Sequence, residues 1–373
     1  MNSDARVLLL SRRGLDPVVS RCCPYEFEDV IGTVDQVDLL VPAYRRRSYF
    51  ILDLAVNKLG RKAAALGRVN PGIRARRLSR NYELFFAVFQ FATDAAALNA
   101  VPGWRERSRL AACWLEELWA GDLHRLQAQL ALLRRFDVIF TNCLGSVEGL
   151  VRATGRPVIY QPPGVDALKF HPGVPPVERV IDVYNMGRRH SATHQVLLEW
   201  AREGRRFYLF DTFQGNIRFQ DPAEHRLQLA NLIKRSRFFL ANRAKANAEG
   251  ETKRQEELGF RFFEGAAGGA VMIGEAPAVS TFHENFNWPD ALIPMPFGGT
   301  GIGELIAELE AQPERLTRIR VANVANAVRR HDWAYRWRAV LEQLGLTPAP
   351  SLREREVKLA ALAKAYPPGG REG

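Results

Sequence analysis

This chain has few cysteines, and it lacks long apolar runs and metal-ligand spacings. Each of these features excludes certain classes of protein. The 373 residues include four cysteines, which show no metal-binding spacing and favour a reducing compartment. No apolar run reaches the ~18–20 residues that cross a bilayer. The opening segment MNSDARVLLL is too short and too acidic for a signal peptide. We therefore expect a cytoplasmic protein.

Positive charge, in contrast, is abundant. The net charge of +11 favours anionic partners such as nucleotide sugars, lipid head groups, acidic polysaccharide or nucleic acid. Arginines occupy 45–47, and basic residues recur throughout 58–80. This pattern fits a face that binds a membrane surface or an acceptor, but it also fits a solvated basic loop, because Pro71 and Gly72 interrupt a long helix. No DNA- or RNA-binding motif accompanies the charge, so we expect no nucleic-acid partner.

Length and hydrophobic periodicity predict two α/β domains. A chain of 373 residues exceeds one ordinary core, for which roughly 150–200 residues suffice. Short apolar runs at 7–10, 37–41 and 138–140 predict buried parallel strands. We predict helices at 84–98 and 105–135, where Ala, Leu and Arg are frequent.

The second half alternates between the two kinds of element. We predict strands at 180–185, 206–210, 238–241, 270–273 and 291–296. We predict helices at 192–203, 223–234, 260–267, 301–311, 313–329, 333–344 and 352–365. This alternation predicts a parallel sheet that is covered on both faces and binds its ligand at the carboxyl ends of the strands.

The most informative segment runs from Glu256 to Gly274. A helix that begins near Gly259 carries Glu264, and the small-residue turn GAAGG leads into a buried strand. The free N–H groups and partial positive charge of a helix N-terminus suit phosphate, while Gly and Ala let a ligand approach the backbone. A carboxylate at this place is suited to the hydroxyl pair of a ribose.

A second segment precedes it in the chain. A predicted strand, short helix and second strand at 136–160 lead into PPGVD at 162–166 and FHP at 170–172. The prolines stiffen the exit from the sheet, and Gly164 permits a turn. Taken alone, this segment is equally consistent with an ordinary proline-rich linker.

Together the two segments resemble the retaining GT-B glycosyltransferases of the group-one type, including the spore-maturation-type and family-4-like enzymes. Glu256 and Glu264, separated by seven residues, resemble the acidic motif of that family. The tail that includes His331 also resembles the spore-maturation type, which makes this histidine a helix-capping or packing residue. The resemblance covers about 136–346 and is weak before that.

The resemblance implies an α/β protein with two Rossmann-like parallel-sheet domains that face each other across a cleft. The N-terminal domain, at 1–172, would bind the acceptor. The C-terminal domain, at 173–346, would bind the nucleotide-sugar donor. A C-terminal helix and tail at 347–373 would pack back on the first domain.

The resemblance also implies the donor-binding residues. Glu264 would hold the ribose, Glu256 would touch the sugar, and the arginine of the GRR turn at 187–189 would hold the diphosphate. The lysine that usually follows this turn in the family is absent, so nearby cations are candidates to replace it. Any single arginine, however, is more often a surface residue than a ligand-binding one. The predicted donor-binding residues are Gly187, Arg188, Arg189, Lys245, Arg261, Glu264, Gly265 and Gly268. The predicted catalytic residues are Glu256, Arg188 and His124.

The implied reaction is transfer of a sugar from a UDP- or GDP-sugar, with retention of configuration and without a metal. The acceptor would be a glycan, a lipid-linked sugar or a small molecule, with peripheral contact to an anionic membrane. The loop SRRG at 11–14 has one glycine where the family has several, so either its arginines contact the donor or the second domain alone holds it. A GT-B-fold sugar-nucleotide epimerase and a non-catalytic protein that binds nucleotide sugars or anionic surfaces remain alternatives.

A candidate acceptor site lies in the first domain, at WLEELW (114–119) and His124. Aromatic rings stack on sugar faces, and carboxylates accept hydrogen bonds from sugar hydroxyls. We therefore predict Glu117 and His124 as acceptor-site residues. The alternative is an amphipathic helix with Trp114 and Leu118 in the core and the two glutamates in water.

Overall fold

The structure is a computed structural model, and it describes residues 4–46, 49–60, 69–212 and 217–367. Its internal contacts divide the chain into two compact units. Unit 1 contains Met1–Pro162, Asn216–Ala223 and Trp337–Arg353, and unit 2 contains Pro163–Gly215, Glu224–Arg336 and Glu354–Gly373. The domain limits that we infer from the sequence, 1–172, 173–346 and 347–373, stay predictions beside this division.

Unit 1 is built on a six-stranded parallel sheet. Its strands are β1 (Val7–Leu10), β2 (Val37–Leu40), β3 (Tyr82–Phe91), β4 (Ser108–Glu117), β5 (Val138–Thr141) and β6 (Val158–Tyr160). Their spatial order is β2-β1-β3-β4-β5-β6, and every neighbouring pair is parallel. Helices α1 (Cys22–Val34), α2 (Tyr49–Gly60), α3 (Gln127–Leu133) and α4 (Val147–Thr154) connect them. The strands predicted at 7–10, 37–41 and 138–140 are confirmed.

The helices predicted at 84–98 and 105–135 are wrong in their larger part. The first region is the long strand β3 followed by 3-10 turns at Ala92–Ala100. The second contains β4, a 3-10 turn at Ala120–Arg125 and only the short helix α3. Both strands are buried along nearly their whole length, and a central parallel strand covered on both faces reads as a continuous apolar run. Burial in the middle of the sheet therefore outweighs the helix propensity of Ala and Leu.

Unit 2 is built on a five-stranded parallel sheet. Its strands are β7 (Ile181–Asn185), β8 (Tyr208–Phe210), β9 (Ser236–Leu240), β10 (Val271–Gly274) and β11 (Ile293–Pro294). Their spatial order is β11-β10-β9-β7-β8, again with parallel neighbours throughout. All five strands predicted for this half are confirmed, with ends that differ by at most two residues.

The helices of the second half also follow the predicted pattern. They are α5 (Ala167–Phe170), α6 (Ser191–Arg202), α7 (Pro222–Lys234), α8 (Glu249–Thr252), α9 (Phe260–Ala267), α10 (Ser280–Asn285), α11 (Ile302–Glu310), α12 (Pro313–Arg330), α13 (Trp333–Gln343) and α14 (Pro350–Lys364). Pro313 occupies the first turn of α12, and arginines occupy its last turn, as helix geometry and dipole favour. His331 caps this helix and is buried against Phe263 and Phe286, so its predicted packing role is confirmed.

The C-terminal part of the chain contributes to both cores. In unit 1, Trp337 is buried, its Nε1 donates to Asp35 Oδ2 at 2.9 Å, and its ring centroid lies 5.1 Å from that of Phe86. In unit 2, Leu359 and Ala363 of α14 join the apolar core. Among the helices described, none has the length and apolar character of a membrane span. Arg47 and residues 61–68 of the predicted basic stretches lie outside the described residues.

Candidate functional site

The turn between β7 and α6 carries three of the predicted residues. Gly187 has a φ of +81°, in the left-handed region that glycine adopts without strain. Its N–H donates to Asp211 Oδ1 at 2.9 Å, and Arg189 Nη1 donates to the same oxygen at 2.7 Å. Asp211 follows β8, so one carboxylate joins the ends of two neighbouring strands. The rest of that loop, residues 213–216, lies outside the described residues.

Arg188 differs from its neighbour in having no carboxylate partner. Its side chain is exposed, and Nη1 donates to the neutral amide oxygen of Asn247 at 2.9 Å. Within the described ranges it forms no ion pair. Arg188 therefore presents a full positive charge at the carboxyl ends of the strands, where a parallel α/β sheet binds its ligand.

A shallow pocket opens beside this turn. It is bordered by the ends of β7, β9 and β11, and its lining includes Arg188, Arg189, His190, Asn242, Phe297 and Gly298. The ring of His190 packs edge-on against Phe297, with 5.2 Å between centroids. The surface at this point thus combines two arginines and an amide with an aromatic side chain, and the space that they enclose is small, about 10 Å³.

Glu264 lies behind this turn, on α9, and is completely buried. Its carboxylate is ion-paired with both Arg226 and Arg261. The Arg226 side chain is 2% exposed, and its guanidinium lies 4.8 Å above the ring of Phe170. Burial opposes ionisation of Glu264, but Arg261 and Arg226 outweigh it and lower its pKa below the usual value. The carboxylate is therefore held ionised inside the domain.

Arg261 connects Glu264 to the GRR turn. It is the second residue of α9, and a Cβ placed on Gly187 would lie 3.9 Å from its Nη2. The guanidinium therefore sits directly against the turn backbone. A bound anion at Gly187 would therefore lie near Arg261, which is also ion-paired with Glu264, and near the neighbouring Arg188.

Glu256 and Lys245 lie in a further network after β9. Glu256 accepts a hydrogen bond from the Ala278 N–H at 2.6 Å, and its other oxygen lies 3.6 Å from Arg243 Nε. Lys245 Nζ lies 3.0 Å from a carboxylate oxygen of the exposed Glu251. Both predicted residues are thus at the strand ends, in contact with opposite charges.

Gly265 and Gly268 face the interior of unit 2. A Cβ on Gly265 would lie 2.7 Å from Met272 Sδ, and a Cβ on Gly268 would lie 2.4 Å from a methyl group of Ile233. Their small size therefore lets α9 pack closely on the sheet and on α7. This packing accounts for both glycines without a ligand.

In unit 1, the arginines of the SRRG loop have carboxylate partners. Arg12 is buried and forms ion pairs with Asp16 at 2.6 Å and Asp94 at 3.2 Å. Arg13 forms an ion pair with Glu28 at 3.0 Å. These ion pairs compensate the positive charges of the loop within unit 1. They therefore favour the alternative in which unit 2 alone binds the donor.

The predicted acceptor segment is a strand end, not a helix. Trp114 is buried in β4, and Glu117 is the last residue of that strand. Trp119 is also buried, and its Nε1 donates to Glu117 Oε1 at 3.2 Å. His124 is exposed on the 3-10 turn that follows. The segment therefore offers Glu117 and His124 at a sheet edge, while the tryptophans belong to the core.

Several residues of this region were not predicted from the sequence. Arg226 is on α7, and its carboxylate partner Glu264 is 38 positions away, so no local sequence pattern indicates this pair. His225 lies beside it, and burial, followed by the charges of Arg226 and Arg261, lowers its pKa. Asp211 and Asn247 occupy predicted strand-end loops, which is the signal that could have identified them. In the part of the chain that the structure describes, no group of three or more His, Cys, Asp or Glu side chains is placed to hold a metal ion.

Solved structures share this arrangement of elements. HepE of Anabaena, solved with UDP-glucose, is 14% identical, with a TM-score of 0.50 over 91% of this chain and 99% of that chain. An α-glucosyltransferase solved with UDP and a 13-mer DNA containing an HMU base is 12% identical, with a TM-score of 0.53 over 91% and 99% of the two chains. At these identities the likeness establishes the fold. The predicted GT-B class, with two parallel-sheet α/β units, is confirmed.

The sequence itself matches a known family over part of its length. Residues 186–342 match the family described as glycosyl transferase-like. This span contains all the predicted donor-binding residues and Glu256, and it agrees with the glycosyltransferase class predicted from the sequence. A comparison with curated proteins gives no match.

Proposed function

We propose that the protein transfers a sugar from a UDP-sugar to an acceptor hydroxyl, with retention of configuration and without a metal ion. The observation that carries this proposal is Arg188, an exposed cation at the carboxyl end of β7 that forms no ion pair with any residue the structure describes. The choice of UDP rests on HepE and on the α-glucosyltransferase, which share the fold and were solved with UDP-glucose and UDP.

The diphosphate would lie against the GRR turn. Gly187 brings the backbone close, Arg188 and Arg261 supply positive charge on two sides, and α9 begins next to them with its free N–H groups. Glu264 would accept hydrogen bonds from the ribose hydroxyls once Arg261 turns away from it, because in the structure its carboxylate is completely buried between Arg226 and Arg261. Its ionised state, maintained by Arg226 and Arg261, makes it a strong acceptor.

The chemistry requires a stabilised leaving group. The bond between the anomeric carbon and the diphosphate oxygen breaks, a bond to the acceptor oxygen forms on the same face, and UDP and the hydroxyl proton leave. Glycosyl transfer passes through an oxocarbenium-like state, so charge accumulates on the diphosphate as the bond breaks. Arg188 and Arg261 would stabilise that charge, and Glu256 would contact the sugar.

The proposal is tested by incubating the protein with UDP-glucose and a panel of other nucleotide sugars, with and without EDTA. Proton NMR would follow UDP release and the anomeric configuration of the product. We expect one UDP-sugar to be consumed at the same rate with EDTA and to yield the retained anomer. Loss of activity in EDTA or an inverted product would contradict the mechanism.

A matched pair of variants localises the site. Arg188→Ala should lower turnover about 100-fold, whereas Arg318→Ala, which removes an exposed arginine on α12, should not change it. The same spectra separate the alternatives. Epimerised nucleotide sugar would indicate an epimerase, and tight UDP binding without turnover of any nucleotide sugar would indicate a binding protein.

For the acceptor we propose the carboxyl end of β4 in unit 1. Glu117 ends the strand, and His124 is exposed on the next turn, so both can contact a ligand at that sheet edge. A carboxylate and an imidazole can accept hydrogen bonds from sugar hydroxyls, which fits a glycan or a lipid-linked sugar.

We further propose peripheral contact of unit 1 with an anionic membrane through α2. Among the described side chains of this helix, four large apolar ones are exposed, Phe50 by 48%, Ile51 by 64%, Leu52 by 43% and Leu54 by 57%. Asp53, in contrast, is buried and accepts a hydrogen bond from the Tyr44 hydroxyl at 2.8 Å, which anchors the helix. Arginines at 45–46 precede the helix. Exposed apolar residues beside cations are typical of helices that lie on anionic lipid surfaces.

A further inference from the structure

Unit 2 has a second cavity, at the opposite edge of its sheet. Arg179, two residues before β7, donates to the carbonyl oxygen of Ser236 at 2.7 Å, and Ser236 begins β9. Arg179 borders a cavity with a volume of about 420 Å³. Because Arg179 and Ser236 lie at the amino ends of β7 and β9, the cavity lies at that end of the sheet, away from the GRR turn. This volume falls within the range of small-molecule sites.

Three arginines border the cavity, and for two of them no described residue places an opposite charge in contact. Arg237 is ion-paired with Asp182 at 2.7 Å and with Glu310. Among the described residues, Arg179 donates to backbone carbonyls, including those of Ser236 at 2.7 Å and Gly268 at 3.0 Å. Arg320 Nε is buried and finds no hydrogen-bond partner among the described residues.

Arg179 and Arg320 both carry their positive charge in a desolvated place beside this cavity. Burial lowers the pKa of Arg179 to about 9, and the charge of Arg320 adds to the effect. The pKa of Arg320 is also lowered, first by burial and then by Arg237. An anion between the two guanidinium groups would offset both desolvation and repulsion.

Apart from Thr317, the remaining wall of the cavity is apolar or aromatic. It includes Val177, Val321 and Val324 of α12, and Tyr366. The Tyr366 hydroxyl is already engaged, because it donates to the carbonyl oxygen of Gly173 at 2.7 Å. The space beside the arginines therefore suits the hydrocarbon part of a ligand.

We propose that this cavity binds a small phosphate monoester with an apolar body. The phosphate would lie between Arg179 and Arg320, whose two positive charges match its two negative charges, and the apolar part would pack on Val321 and Val324. Arginine is suited to this task because its planar donors match phosphate geometry. The site is separate from the proposed donor site and does not depend on the proposed reaction.

Phenyl phosphate is a suitable probe, and calorimetry and thermal shift are suitable measurements. We expect it to bind the wild type and Arg318→Gln equally, since Arg318 is on the same helix but exposed. Arg320→Gln should weaken binding about tenfold or more, as loss of a charged hydrogen bond does. Equal binding by Arg320→Gln and the wild type, or no binding to either, would overturn the proposal.

Two further comparisons define the ligand class and the location. Val321→Phe, which fills the apolar side, should weaken phenyl phosphate but spare inorganic phosphate, and benzoate should bind more weakly than phenyl phosphate. Arg188→Ala should leave the phenyl phosphate affinity unchanged. If Arg188→Ala abolished binding while Arg320→Gln did not, the probe would occupy the GRR turn and the cavity proposal would be overturned.

Discussion

Replacing Glu264 by glutamine should destabilise the protein strongly, because the substitution removes charge from a buried cluster. Glu264 is fully buried and Arg226 is 2% exposed, so the Arg226 guanidinium would lose the carboxylate paired with it. Removal of one partner from a buried ion pair typically costs about 3–5 kcal/mol. For a domain of this size that corresponds to a fall in Tm of about 10 °C. Thermal unfolding and denaturant titration would measure both quantities.

The double variant Glu264→Gln/Arg226→Met separates the structural role from the ligand role. It removes both charges while keeping similar volumes, so much of the lost stability should return. If Glu264 also accepts hydrogen bonds from ribose, UDP affinity should stay low in the stabilised double variant. Recovered stability together with wild-type UDP affinity would limit Glu264 to a structural role.

The pH dependence provides a second check on the cluster. The arginines lower the pKa of Glu264 in the folded protein, so its stabilising contribution is present above the unfolded pKa and is lost as the pH falls through the folded one. Wild type and Glu264→Gln should therefore converge in stability in acid. A stability difference that stays constant down to acidic pH, or a Glu264→Gln variant as stable as the wild type at neutral pH, would refute the reasoning.

Arg188→Ala should lower kcat by about 100-fold with little change in donor KM, since a leaving-group clamp acts in the transition state; a change in KM alone would contradict this role. Burial raises the pKa of Glu28 from 4.5 to about 7 in the folded protein. The stability that the protonated Glu28 contributes is therefore lost as the pH rises through that range. Denaturant unfolding should show the wild type losing about 3 kcal/mol relative to Glu28→Gln between about pH 4.5 and 8. Glu117→Ala and His124→Ala should abolish transfer but spare UDP binding, and full transfer in both would exclude this acceptor site. Ile51→Asp should weaken sedimentation with anionic vesicles about tenfold, whereas unchanged sedimentation would exclude α2 as the contact.

The second half of the fold could be predicted element by element because its sequence carries two independent patterns. Short apolar strands alternate with helices of 3.6-residue period, and glycine or proline separates many of them. In the first half, the helix predicted at 84–98 rests on the alanines of Ala92–Ala100, which follow β3. The strand itself contains four phenylalanines and only one Ala and one Leu, a composition that favours a strand, and its place in the middle of the sheet depends on pairing with β1 and β4.

The candidate site could also be predicted only in part. Arg188 and Arg189 could be placed at a strand end because the end of β7 is visible in the sequence. Their different partners could not, since Asn247 and Asp211 are reached only through folding over 59 and 22 positions. Glu264 was identified by its motif, but its burial with Arg226 depends on packing of α7 against α9.

The segment Trp337–Arg353 has a consequence for synthesis of the protein. It belongs to unit 1, whose first 162 residues are made long before it. Trp337 covers Phe86 and donates to Asp35, and Ser351 Oγ donates to the carbonyl oxygen of Val34 at 2.9 Å. Domains usually fold in order as they leave the ribosome, but here the core around Phe86 is completed by a segment that is synthesised after the whole of the unit 2 sheet. Until residues 337–353 have been made, an apolar face around Phe86 stays uncovered and open to chaperones.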